Sequence, residues 1–323
     1  MSRAARTLLP ALVLGFSAGV VAGPHEEPLA WLQRAANAAR TASYSGTFLH
    51  TSGERTSTVR IAHAIIDGVE HERIEPLEGP PHEIVRRGEE MICYFPDSKT
   101  MRLDRRVSAR YFPSIFRGAP EALAENYTIK LGNVERILGM DCQWIRLDPK
   151  DALRFAQRLC AEVSSGLLLR AKTLNERKQV IEQYTFTDLR LGPQMARSDV
   201  KPTFQSRVKQ WVTDAQPRDE AKGADTGWEV GKPPAGYRKI GELRRTLPGR
   251  QQPVSQIVLS DGLASISVFV ELAGLPSRPA EAAAEEGTTS FFVRPAGDHV
   301  VTVLGEVPIA AVQQVGRSVT RRP

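Results

Sequence analysis

The chain is expected to be an α+β protein in two parts, a large antiparallel sheet with a few helices followed by a smaller unit. Three observations lead there. One early segment has helical spacing, from Leu29 to Arg40. The next stretch switches to period two and runs through strand after strand with no long helix between them, which describes an antiparallel meander and not a parallel α/β sheet. Between Gly192 and Gly227 the pattern dissolves into Pro, Gly, Asp, Lys and Gln, and a second set of strands begins near Trp228.

The first residues read as an export signal. Arg3 and Arg6 form a basic start, Leu8 to Val21 is apolar but too short to span a bilayer, and Val20 and Ala22 precede a cut after Ala22. Removing residues 1–22 takes the formal charge from +6 to +4 by the loss of Arg3 and Arg6. The helix follows Pro28, with Leu29, Leu32, Ala35, Ala36 and Ala39 on one face. Tyr44, Gly46 and Phe48 then alternate with polar neighbours, as do Val59 and Ile61 beyond the loop 51–54. A hairpin there puts Tyr44, Phe48, Val59 and Ile61 on one face. Strands are expected over 69–75, 83–87, 91–95, 101–104, 127–138, 142–148, 153–163, 167–174 and 178–189, with a short helix within 113–123. In the second unit Asp261-Gly262 is the strongest hairpin signal, joining strands at 256–260 and 263–271. Strands at 289–294 and 299–304 follow, then a helix near Pro308 carrying Ile309, Val312 and Val315 on one stripe.

Composition narrows function. At 323 residues, 41% apolar and 25% charged, the chain is too ordinary to be disordered or fibrous, and long enough for about two domains. Against 43 Lys+Arg stand 37 Asp+Glu, so charge gives no case for nucleic acid as a partner. No nucleophile elbow, phosphate-cradling glycine loop or paired metal-binding histidines occur, so neither an enzyme, a metal site nor a cofactor is expected. His63 falls among apolar strand positions and reads as a core or rim residue. Three cysteines are too few for a disulfide scaffold. A hairpin folded about 149–152 would set Cys142 opposite Cys160, Ile145 opposite Gln157, Leu147 opposite Phe155 and Asp148 opposite Arg154. In an oxidising compartment this leaves two readings, a Cys142–Cys160 bond with Cys93 free, or unpaired thiols. Basic residues gather twice. Lys99, Arg102, Arg105, Arg106, Arg110 and Arg117 lie near Tyr111, Phe112, Ile115 and Phe116, and suit phosphate-bearing lipid. Arg238, Lys239, Arg244, Arg245 and Arg250 suit an acidic protein segment. Solvated faces are the plain reading of both.

Four segments carry a resemblance: LAWLQRAANAARTASYSGTFLH, HEIVRRGEEMICYFP, and above all PPAGYRKIGELRR with QIVLSDGLASISVFVE. In that order they resemble the RseB/MucB family, periplasmic regulators of the extracytoplasmic stress sigma factor (sigma-E). The resemblance implies an N-terminal domain like the LolA/LolB lipoprotein carriers, a curved antiparallel sheet forming an unclosed barrel with helices in its concavity, and a smaller C-terminal α/β domain. The expected boundaries are 1–22 for the signal, 23–192, a linker at 193–227, and 228–320. It further implies a periplasmic protein that binds the periplasmic part of an RseA/MucA-type anti-sigma factor, shields it from site-1 proteolysis, and lets go when lipid or lipopolysaccharide fragments bind. Self-association into a homo-oligomer stays open. The alternative is a periplasmic lipid or lipoprotein carrier of the LolA type, which leaves the unit beyond Trp228 unexplained. Tyr44, Phe48, Val59, Ile61, Ile145, Leu147 and Phe155 are the expected lipid contacts, unless they pack wholly beneath the helices. Tyr237, Arg238, Arg244 and Arg245 are the expected partner contacts.

Overall fold

A computed structural model describes residues 27–104, 111–116, 119–192, 195, 197–204, 211–215, 225–245, 252–274 and 280–322. The export signal, Arg105, Arg106, Arg110, Arg117 and Arg250 lie outside the described residues. Among the described residues no helix is long and apolar enough to cross a membrane.

Helix α1 (Pro28–Thr41) starts with proline at its first turn, where the missing N–H is not needed, and buries Trp31, Leu32, Ala35, Ala38 and Ala39. Strands β1 (Tyr44–Ser52), β2 (Arg55–Ile66), β3 (Val69–Pro76), β4 (Glu83–Arg87), β5 (Glu90–Phe95) and β6 (Thr100–Asp104) follow as a meander. A 3₁₀ turn (Pro120–Ala122) and the single-turn α2 (Leu123–Asn126) lead into β7 (Tyr127–Ile137), β8 (Met140–Pro149), β9 (Ala156–Glu162), β10 (Leu168–Leu174) and β11 (Val180–Leu191). With β12 (Val212–Ala215) these make one twelve-stranded sheet in the order β12-β6-β5-β4-β3-β2-β1-β11-β10-β9-β8-β7, with both edges unjoined. The two meanders meet at β1 and β11, where Tyr44 faces Leu191 and Ser52 faces Glu182. The sheet folds its inner face around α1. Leu32, Ala35 and Ala39 share a core with Tyr44, Ile61, Ile145, Leu147, Leu159 and Phe186. Burying a side chain such as Leu32 fully is worth about 1.5–3 kcal/mol. Gly166 lets the β9–β10 turn approach α1: its φ is +81°, and a Cβ there would sit 3.1 Å from the Arg34 carbonyl oxygen.

The second unit is a six-stranded sheet of β14 (Arg238–Arg245), β15 (Val254–Ser260), β16 (Ser265–Leu272), β17 (Ala282–Glu286), β18 (Thr289–Ala296) and β19 (His299–Gly305), ordered β14-β15-β16-β19-β18-β17. Helix α3 (Ile309–Arg317) packs Ala311, Val312 and Val315 onto Phe292, Val301 and Val303. Gly316 allows this closeness, since a Cβ would lie 2.2 Å from the Phe292 ring. A short ribbon of β13 (Trp228–Val230) and β20 (Val319–Arg321) closes the unit.

Several expectations need correction. The stretch 193–227, expected as a linker, packs on the first sheet where it is described, with the Phe204 and Trp211 rings 5.8 Å apart. Val200 is buried against Ala62 and Ala64, the Thr203 amide donates to Glu83 at 2.9 Å, and β12 extends the first sheet in parallel beside β6. β9 begins at Ala156, not Leu153, so its register on β8 is two residues away from that expected. Ile145 faces Leu159, Leu147 faces Gln157 and Trp144 faces Cys160. Asp148 therefore pairs with Arg158, and Arg154 is freed for another role. Cys142 and Cys160 sit diagonally across this pair and are joined by a disulfide, their Cα atoms 5.5 Å apart. Cys93 is free. β14 and β17 are strands that their sequences do not announce: one reads as a charge cluster, the other as an Ala/Glu run.

Candidate functional site

The concave face of the first sheet is banded across its strands. Toward α1 it carries Tyr44, Ile61, Ile145 and Leu147, all fully buried in the core beneath the helix. These four expected lipid contacts therefore line no open space. Farther along the same strands, a partly enclosed cavity of about 470 Å³ opens. Phe48, Val59 and Phe155, the other three, do line it, with Ile74, Ile84, Phe112 and Ile115. Phe112 closes one side, stacked on Tyr184 at 5.4 Å and in contact with Phe48 and Phe186 at 5.2 Å. The aromatic residues near the first basic cluster thus face inward and are wall and core, not an exposed lipid-binding surface.

The far end of the cavity is polar. Strand pairing aligns Gln157, Thr173 and Glu182 on β9, β10 and β11, and sets His50 on β1 beside Tyr184. The Glu182 carboxylate lies 2.9 Å from His50 Nε2 and accepts from the Tyr184 hydroxyl at 3.1 Å and the Thr173 hydroxyl at 3.4 Å. The His50 and Tyr184 rings stack at 4.3 Å. The cavity is therefore amphipathic, an apolar wall with donors and the Glu182 carboxylate at one end. That shape suits a chain-bearing molecule with a polar head. Sequence reasoning misses this end although a signal for it exists: Thr173, Glu182 and His50 share the strand parity of Ala171, Tyr184 and Phe48.

The second unit completes the cavity. Leu263, Ala264, Thr288 and Glu306 form part of its lining. Leu263 packs against the first core, and Leu153 from the first unit packs against the second. Between them lies Arg154, 2% exposed. Its Nε donates to Asp261 at 3.1 Å, and its other nitrogens donate to Asp151 and to the carbonyl of Ala235. The guanidinium carbon lies 5.9 Å from the Tyr127 ring centre and 5.1 Å from that of Tyr237. Burial works against the Arg154 charge, but the hydrogen bond and charge of Asp151, with Asp261 behind them, hold its pKa above the ordinary arginine value. Burial also pushes the Tyr127 and Tyr237 hydroxyls well above the usual tyrosine range, and the Asp261 charge adds to it. Asp261 also shapes the turn that enters the cavity, because its Oδ1 accepts from the amides of Leu263 and Ala264.

The expected partner residues do not form one patch. Tyr237 is 5% exposed and belongs to the interface just described. Arg245 is half-buried over the Phe269 ring. Arg238 and Arg244 are exposed on β14, an edge strand, where Arg244 donates to the Thr226 carbonyl at 3.1 Å. Glu242 anchors that strand. Burial opposes its charge, but hydrogen bonds from Lys239 and Thr226 outweigh this and pull its pKa down to about 2. His63 is buried, its Nδ1 2.7 Å from the Ala42 carbonyl oxygen, as a core histidine would be.

Comparison with known proteins matches both units. The family model for the MucB/RseB N-terminal domain matches residues 27–204, and that for the MucB/RseB C-terminal domain matches 222–320. The chain is 29% identical over 320 residues to the sigma factor AlgU regulatory protein MucB of Pseudomonas aeruginosa, covering 97% of each. It is 23% identical over 305 residues to the sigma-E factor regulatory protein RseB of Escherichia coli K12, covering 94% of this chain and 93% of the relative. A crystal structure of MucB in complex with MucA(peri) superposes with a TM-score of 0.74 at 25% identity, over 92% of this chain and all of that one.

Proposed function

Because the chain belongs to the MucB/RseB family, we propose that it is a periplasmic negative regulator of a sigma-E-type stress response. It acts by binding the periplasmic domain of an RseA/MucA-type anti-sigma factor and shielding it from site-1 proteolysis. Its relatives are named as regulatory proteins, and one is crystallised with MucA(peri). The observation that carries the reading is that both units match the family in order, along almost the whole described chain.

The finer mechanism is a switch driven by lipid. The amphipathic cavity takes an acyl chain or lipopolysaccharide fragment against Phe48, Val59 and Phe155, with its head toward His50 and Glu182. Tyr44, Ile61, Ile145 and Leu147 support that wall from the core without touching the ligand. Arg238 and Arg244 on the exposed edge strand are the anti-sigma contacts we favour. Because the second unit supplies Leu263 and Ala264 to the cavity, an occupant bears on how the two units sit. Ligand and partner then compete only so far as they prefer different arrangements.

The test is a cleavage assay with the purified chain, the anti-sigma periplasmic domain and its site-1 protease. The chain should block cleavage, and added lipopolysaccharide fragments should restore it. Absence of any affinity for the anti-sigma domain would overturn the regulatory reading. Blocked cleavage that lipid never restores would overturn the switch alone.

A further inference from the structure

The outer face of the first sheet carries a row of cations that the regulatory reading does not use. Strand pairing sets Lys130 on β7 opposite Arg146 on β8, Arg146 opposite Arg158 on β9, and Arg158 opposite Lys172 on β10. Their chain neighbours Ile145, Leu147, Leu159 and Ala171 belong to the inner core. Alternation therefore sends all four basic side chains outward. With strands about 4.8 Å apart, the row is roughly 14 Å long.

Like charges directly opposite each other on a sheet destabilise it. Among the described residues only Arg158 of the row has an acidic partner, Asp148 at 2.5 Å. Lys130 and Arg146 are exposed and have no acidic partner among the described residues. Lys172 lies 5.4 Å from the Trp144 ring centre. A shallow groove of about 560 Å³ runs beside the row, lined by Trp144, Arg146, Arg158 and Lys172 together with Val134. Val134 is 56% exposed, and the half-buried indole of Trp144 donates to Glu135 at 2.7 Å.

We propose that this face docks on the anionic headgroups of a phospholipid bilayer. The row needs several anions in a line across the strands, about 4.8 Å from one to the next. An extended acidic peptide repeats carboxylates on one side only every ~6.7 Å, so it falls out of step. Added to the sheet edge at β7, such a peptide would run along the strands and meet Lys130 alone. Lipid headgroups move laterally and take up whatever spacing the cations impose. Arginine and lysine reach outward on long stems, and an aromatic ring beside an exposed valine suits the boundary between headgroup and acyl chain. This inference is independent of cavity occupancy and of anti-sigma binding.

The test is co-sedimentation of the chain lacking residues 1–22 with vesicles of phosphatidylcholine, with and without phosphatidylglycerol. Binding should require the anionic lipid and weaken as sodium chloride rises. The double variant Arg146→Glu, Lys172→Glu, with unchanged circular dichroism and melting, should lose binding roughly a hundredfold. Lys130→Glu at the sheet edge, which puts less strain on the fold, should lose roughly tenfold. Equal binding by these variants, or no preference for anionic vesicles, overturns the proposal. So does binding of soluble polyglutamate through the same residues while vesicles are ignored, which would assign the face to an acidic polypeptide. Ala264→Trp, which fills the cavity, should leave vesicle binding intact; its loss would place the lipid in the cavity instead.

Discussion

A guanidinium withdrawn from water needs every donor answered, and Arg154 is answered by its neighbour Asp151 and by two segments distant in sequence, Asp261 at 3.1 Å in the β15–β16 turn and the carbonyl of Ala235. Removing one member of such a pair leaves the other charge buried and uncompensated, which costs about 3–5 kcal/mol. Asp261 is 1% exposed at its side chain, so Arg154→Met should lower stability by that order in urea titrations. Adding Asp261→Asn keeps the acceptor for the Leu263 and Ala264 amides while removing the charge. The double variant should therefore recover part of the loss. A single variant less than about 1 kcal/mol below the parent would mean water reaches the pair and the latch does not hold. Nothing in the local sequence foretells this role. The expected hairpin offers Asp148 as its partner, and choosing Asp261 needs knowledge of how the two sheets meet.

At the scale of elements, the β8–β9 pair shows both what alternation gives and where it stops. Parity places Ile145, Leu147 and Leu159 on the inner face and Cys142, Trp144 and Cys160 on the outer one. Register is another matter, because Pro149–Ala152 looks like a sufficient turn. The chain stays out of the sheet until Ala156, since Leu153 packs into the second core, Arg154 into the latch and Phe155 into the cavity wall. Tertiary contacts override the local turn signal and move the pairing by two residues. The cysteines still meet, now on a diagonal. Their separation of 18 residues closes a modest loop. Replacing both with alanine should lower stability by about 1–3 kcal/mol, less than the chain-entropy limit because the hairpin already holds its ends together. Reductant should shift the urea midpoint of the parent equally and leave the variant unmoved; a parent indifferent to reductant would mean that the bond contributes nothing. Elsewhere the legible strands are those with branched or aromatic residues at every second place. β17 is Ala and Glu throughout and wholly exposed, so it has no buried face to announce it. Six of the seven expected lipid contacts lie in strands and share a face for the same reason that strands are legible. Period two does not say which end of a strand lies under a helix, so four of them are core and Ile61→Asp would probe folding, not the cavity.

For the whole molecule, the shape of the cavity and the placing of the second unit are one variable. Leu263 enters the first core, Leu153 enters the second, and Tyr127 both lines the cavity and flanks the buried arginine. An occupant that displaces Leu263 or Ala264 must move the turn that Asp261 shapes, and with it the charge that Arg154 needs. Turning a 1:99 preference into 99:1 takes about 5.5 kcal/mol of differential affinity. At about 0.8 kcal/mol per methylene buried in one arrangement and not in the other, about seven methylenes suffice, well within one acyl chain. The polar end at Glu182 need only orient the molecule. A carrier that used the sheet alone would be indifferent to what the second unit presents. Ala264→Trp distinguishes these cases, because it fills the cavity from the second unit's side and leaves the first sheet's own residues untouched. Lipid affinity should fall at least tenfold by fluorescence titration, equivalent to about 1.4 kcal/mol. Shielding of the anti-sigma domain should weaken even without lipid, since the indole does what an occupant would do. Unchanged lipid affinity in a folded Ala264→Trp protein would mean that the sheet alone holds the ligand, and the coupling between occupancy and arrangement would be lost with it.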